Sequence, residues 1–115
     1  MPKVVLLMKR KAGLSLDEFK DYYERNHVPL SKRLLGDYMT DYRRNYRSGG
    51  IATEVTDAPD DSDFDVITEI WYADQASMEA MWARAREPEI AAQIDADGAR
   101  FMDPDMHFYI VEECR

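Results

Sequence analysis

The stretch Ser15 to Gly36, SLDEFKDYYERNHVPLSKRLLG, constrains this chain more than any other. Ser15 suits a helix N-cap, and Glu18 follows three residues on, so each side chain can satisfy the other's free backbone N–H. Leu16, Phe19, Tyr23 and His27 come at steps of three, four and four and share one helix face. A histidine therefore continues an aromatic stripe that must face the core. Val28 precedes Pro29, and a residue before proline avoids helical backbone. The expectation is a break there, a short second helix over Leu30 to Leu35, and Gly36 as its stop. His27 then sits at a bend, where pockets open.

The flanking segments fill in the architecture. Lys3 to Lys9 is a short apolar run, read as a strand. Asp37 to Arg47 alternates Tyr38, Thr40, Tyr42, Arg44 and Tyr46 on one face, a second strand. Residues 48–63 are polar and acidic and read as a loop insertion, either a lid or a solvated hairpin connection. Phe64 to Tyr72 is a third strand. Asp74 caps a second helix through about Arg86, with Met78, Met81, Trp82 and Ala85 on one side. Pro88 restarts it, Ile90 and Ile94 continue the apolar face, and Gly98 ends it. Asp105 to Glu113 is the fourth strand. The order β-α-β-β-α-β in a single domain, residues 1–115, is the α+β, ferredoxin-like arrangement with a four-stranded antiparallel sheet.

Two helices cover one face of such a sheet. If the other face met water, the strands should alternate between apolar and polar residues. Val4-Val5-Leu6-Leu7-Met8, Ile70-Trp71-Tyr72 and Phe108-Tyr109-Ile110-Val111 do not. The second face needs a cover, and the expectation is a homodimer packed sheet to sheet as a dimeric α/β barrel. At 115 residues the chain is large enough for a core without disulfides. Its one cysteine, Cys114, fits a reducing, cytoplasmic setting, and no signal peptide or membrane span is read from it. The net charge of −8 argues against nucleic acid or an anionic membrane as partner.

The segment Lys9 to Leu30, KRKAGLSLDEFKDYYERNHVPL, resembles the EthD-like family of dimeric α/β barrel proteins. The basic run and glycine ahead of the capped helix carry the likeness, followed by Phe19, Tyr22-Tyr23, His27, Pro29 and Leu30. Phe101-x-Asp103 and the closing Val111-Glu112-Glu113 extend it. The family takes its name from a protein required in fuel-ether degradation, and related members tailor aromatic polyketides as cofactor-free decarboxylases or dehydratases. Lactone isomerases and cofactor-free monooxygenases share the barrel. The resemblance thus implies a small hydrophobic or aromatic substrate and proton transfer, with His27 in the motif's histidine position.

Histidine titrates near neutrality and can both take and give a proton. His27 is accordingly the candidate general acid/base, and the competing reading is a core-edge histidine bonded to a backbone carbonyl. Tyr23, Tyr22, Phe19, Tyr42, Trp71, Trp82, His107 and Asp103 are candidate substrate contacts, although tyrosines and tryptophans also suit a half-buried sheet. A metal site is not expected, because two distant histidines give no ligand spacing, and neither is a cofactor. The function expected is a cofactor-free lyase or isomerase acting on an aromatic or polyketide-like carbonyl compound by decarboxylation, dehydration or tautomerisation. The alternatives are a hydrophobic-metabolite binding protein and a cofactor-independent monooxygenase.

Overall fold

The computed structural model describes residues 2–48 and 64–114. Four strands, β1 (Pro2–Met8), β2 (Asp41–Tyr46), β3 (Val66–Trp71) and β4 (His107–Glu112), form one antiparallel sheet in the order β2-β3-β1-β4. Helices α1 (Leu16–Tyr22) and α2 (Val28–Leu35) join β1 to β2. Helices α3 (Gln75–Ala85) and α4 (Pro88–Gly98) join β3 to β4. This is the ferredoxin-like α+β fold. The 48–63 loop lies outside the described residues except for Ser48.

The capping box forms as its sequence dictates: Glu18 N–H donates to Ser15 Oγ at 3.1 Å, and Ser15 N–H donates to Glu18 Oε1 at 2.9 Å. The expected break before Pro29 does not occur. Val28 keeps helical dihedrals (φ −62°, ψ −49°), and its N–H reaches back five residues to the Tyr23 carbonyl. A π-helical turn over Tyr23–His27 therefore carries α1 into α2. It absorbs the proline, whose ring would crowd the carbonyl four residues back in a regular helix.

The wide turn has a second effect. Phe19, Tyr23, His27, Ser31 and Leu35 are spaced by four, and on an α-helix each such step overshoots by about 40°. Five of them would wind off the core-facing side. With the turn widened between Tyr23 and His27, all five are buried. Leu16, expected in the same stripe, is only half-buried.

The second strand begins later than its alternation predicts, because Gly36–Tyr38 closes a 3₁₀ turn first. Register then settles which residues share a face. Tyr42, Arg44 and Tyr46 pair with Ile70, Thr68 and Val66, and these with Val4, Leu6 and Met8, all on the helix side. The core gathers there, with Phe19, Tyr23, Tyr72, Met81 and Phe101 sealed from solvent. Burying a side chain such as Phe19 fully is worth about 1.5–3 kcal/mol.

Among the described residues, no helix lies on the opposite face. Val5 and Leu7 of β1 lie there, flanked by Ile67, Glu69 and Trp71 of β3 and by His107, Tyr109 and Val111 of β4. Lys3 is held in its midst by Glu69 at 2.6 Å and Glu113 at 3.0 Å. Phe108, Tyr109 and Ile110 leave the outer strand widely exposed.

Candidate active site

A cavity of about 700 Å³ lies between the sheet and the helices. Leu6, Met8, Thr68, Ile70 and Tyr42 form its sheet wall, and Tyr23, His27, Ser31 and Leu35 its wall on the π turn and α2. Met81, Trp82 and Ala85 of α3 and Ile94 and Gly98 of α4 close the far side. Lys11, Arg86, Asp95 and Asp103 bring charge to a lining that is otherwise mostly apolar.

His27 is the imidazole in this wall, and it is 6% exposed. Its Nδ1 lies 2.9 Å from Asp97 Oδ2, and the other carboxylate oxygen of Asp97 accepts the Tyr22 hydroxyl at 2.7 Å. A carboxylate offers only acceptors, so Nδ1 holds the proton and the lone pair falls on Nε2. Nε2 has no hydrogen-bond partner among the described residues, yet no buried side-chain N or O atom there is left unpaired. Nε2 is therefore accessible, on a ring that lines the cavity. Phe101 packs on the imidazole at 5.0 Å and stacks on Tyr22 at 5.2 Å, so histidine, carboxylate, phenol and phenyl ring brace one another. Burial pulls the His27 pKa below its ordinary 6.5, and Asp97 works against that fall by bonding and by charge. The ring is neutral at neutral pH, with its lone pair on Nε2.

A run of hydroxyls adjoins it. Tyr23 Oη lies 2.8 Å from Thr68 Oγ1 and 3.2 Å from Tyr42 Oη. Burial raises the pKa of both phenols, so both stay protonated.

Of the residues singled out from sequence, His27, Tyr23, Tyr42, Trp82 and Asp103 line the cavity. Phe19 lies behind the wall, packed edge-on against Tyr23 at 6.2 Å. Tyr22 turns toward Asp97 and does not line the cavity. Trp71 and His107 lie on the uncovered face and do not line this cavity. Trp71 lies under Lys3 and Arg43, while His107 stacks on Tyr109 at 6.4 Å. Strand period decides this: Trp71 and His107 each follow or precede a cavity-side residue, Ile70 and Phe108, by one. The arginines of β2, and Arg47 just after it, are engaged elsewhere. Arg44 is gripped by both Glu24 oxygens at 2.7 and 2.9 Å, Arg43 meets Asp41 at 2.7 Å, and Arg47 lies 3.6 Å from Asp65.

Asp97, Ser31 and Thr68 were not identified from the sequence, although a signal for each was present. Asp97 follows Ile90 and Ile94 at steps of four and three and precedes Phe101 by four, a carboxylate in an apolar stripe. Ser31 extends the stripe of Tyr23 and His27, and Thr68 interrupts Val66 and Ile70. Among the described residues no three His, Cys, Asp or Glu side chains cluster as a metal site would require, and no helix is long and apolar enough to cross a membrane.

Known proteins agree with this architecture. The family model described as "EthD domain" matches residues 11–105. Among solved structures, the chain is similar to an ethyl tert-butyl ether d (ethd) family protein from Bacillus halodurans C-125, 22% identical, covering 99% of each chain with a TM-score of 0.66. It is similar to an ethd-like protein from Ralstonia eutropha JMP134, also 22% identical, over 96% of this chain and 89% of that one with a TM-score of 0.67. A dimeric protein of ferredoxin-like fold from Bacteroides fragilis NCTC 9343 matches at 9% identity, 97% and 95% coverage and a TM-score of 0.59. No curated protein matches the sequence. With the family model spanning most of its length, the chain belongs to the EthD family.

Proposed function

We propose that this protein is a cofactor-free lyase or isomerase that acts on a small aromatic or polyketide-like carbonyl compound, with His27 as general acid/base. One observation carries the reading: a neutral imidazole, fixed by Asp97 at Nδ1 and without a partner at Nε2 among the described residues, lines a largely apolar cavity. Nε2 takes a proton from the carbon beside the carbonyl, and the electron pair moves onto oxygen as an enolate. The imidazolium that forms faces the Asp97 carboxylate, which stabilises its charge. Returning the proton to a different carbon isomerises the substrate, and giving it to a departing hydroxide releases water. In decarboxylation Nε2 first takes the proton of the substrate's carboxylic acid group, the bond to the carboxylate breaks, carbon dioxide leaves, and the pair left on carbon takes that proton back from the imidazolium. Trp82, Met81 and Ile94 supply the apolar surface for an aromatic ring.

The functional unit is a homodimer joined through the uncovered sheet face, and its setting is the cytoplasm. Support comes from the apolar residues left on that face and from the dimeric state of the Bacteroides fragilis relative.

The test is α-proton exchange of 1-tetralone and 2-tetralone in D₂O, followed by NMR, together with carbon dioxide release from aromatic β-keto acids. Positioned acid–base catalysis is worth about 10²–10⁴-fold, so His27→Gln should lose that factor. Equal rates in wild type and His27→Gln would refute the mechanism. Ligand binding with no chemical change would return the protein to the class of metabolite-binding proteins, and turnover that stops without dioxygen would make it an oxygenase.

A further inference from the structure

Three hydroxyls are bonded together in the cavity wall, and proton counting says one of them is unspent. Thr68 bonds Tyr23 at 2.8 Å, and Tyr23 bonds Tyr42 at 3.2 Å. All three residues line the cavity, as does Ser31. Three hydroxyls joined in a line by two hydrogen bonds use two protons and leave one over. Outside the line, the acceptor within reach of these hydroxyls among the described residues is the Met8 thioether, 3.8 Å from Tyr23 Oη, a weak acceptor. Thr68 and Tyr23 are sealed from solvent, whereas Tyr42 is only half-buried. The Arg44 guanidinium stands 4.8 Å over the Tyr42 ring, and its charge makes the phenol a better donor.

We propose that this hydroxyl line is an oxygen-binding subsite that takes the keto or phenolic oxygen of an aromatic ligand, with Tyr42 as the donor to it. Tyr23 lies four residues before His27 on the same buried face, so the subsite flanks the imidazole. An oxygen seated on Tyr42 brings the neighbouring carbon to the His27 side of the cavity. The subsite deepens the acid–base reading and rests on it for its purpose, while binding itself requires no turnover.

The test compares 1-tetralone with tetralin, the same skeleton without the oxygen, by NMR titration of the full chain. One net hydrogen bond of about 0.5–1.5 kcal/mol gives 1-tetralone roughly a twofold to tenfold preference. Tyr42→Phe should bring the ratio to one and leave tetralin affinity unchanged. Ser31→Ala leaves the line and its spare proton in place and should keep the preference. No preference in wild type, or an undiminished one in Tyr42→Phe, overturns the subsite. Should Tyr42→Phe not fold, the carbonyl ¹³C signal of bound 1-tetralone decides in wild type: a downfield move relative to apolar solvent supports the donor, and none overturns it. The two proposals fail separately. Exchange that ignores His27 sinks the acid–base reading while the ketone preference stands, and an absent preference sinks the subsite while His27-dependent exchange stands.

Discussion

Tyr23→Phe combined with Thr68→Val tests whether the hydroxyl line is an energetic unit. The phenol of Tyr23 is its hub, with Thr68 at 2.8 Å and Tyr42 at 3.2 Å. Removing that hydroxyl leaves the Thr68 hydroxyl, 1% exposed, with no other partner among the described residues. A stranded buried hydroxyl costs about 1–3 kcal/mol. Tyr42 is half-buried at the cavity and can draw on water there, so its share is smaller, and Tyr23→Phe should cost about 2–3 kcal/mol in total. Thr68→Val leaves Tyr23 bonded to Tyr42 and should cost about 1 kcal/mol. In the double variant no hydroxyl is stranded. It should be less destabilised than the sum of the singles by about 1–2 kcal/mol, well outside the usual scatter of additive pairs. Urea unfolding measures this, at one protein concentration because the stability of the proposed dimer depends on it. Additive single effects would show that Thr68 and Tyr23 do not depend on one another, and the proton count built on their bond would fail.

Two further expectations concern His27 and the uncovered sheet face. The folded-state pKa of His27 lies below the unfolded 6.5, so the unfolded chain binds more protons between the two values. Stability from this group is therefore complete above about pH 6.5 and is lost as pH falls toward the folded value. Urea midpoints at pH 7.5 and 5.5 should show the loss, and His27→Gln should flatten it. Glu24 and Glu69, whose pKa values are lowered by Arg44 and Lys3, act only below about 4.5 and do not overlap. Tyr109→Glu, on the uncovered face beside Val5, should shift the protein from dimer to monomer in sedimentation velocity. A dimer that persists would place the interface elsewhere.

The capping box, the stripe of Phe19, Tyr23 and His27, and the order of strands and helices were legible because each depends on local spacing. The π turn was not. The rule that a residue before proline avoids helical backbone is local, and here packing of five residues spaced by four overrides it. The facing of Trp71 and His107 was not legible either. A one-residue difference in register exchanges the two sides of a strand, and nothing in Ile70-Trp71-Tyr72 says which ring points inward.

The site itself was partly written as polar residues inside buried stripes: His27, Ser31, Thr68 and Asp97 all interrupt apolar faces. Such interruptions are not sufficient, and Asp65 shows why. It is as buried as Thr68 and sits beside Val66, but one of its oxygens accepts the Arg10 N–H at 2.8 Å and the other lies 3.6 Å from Arg47. Both its oxygens are met by protein groups, so it anchors the end of β3 and has nothing left to offer a ligand. His27 keeps an Nε2 without a partner among the described residues, and the line through Thr68, Tyr23 and Tyr42 keeps a proton. A buried polar group that the fold satisfies completely is structural. One that the fold positions and then leaves with a lone pair or proton at a cavity wall is equipped for chemistry. That distinction rests on hydrogen-bond partners up to seventy residues away along the chain, as with Asp97 and His27, which no local pattern contains.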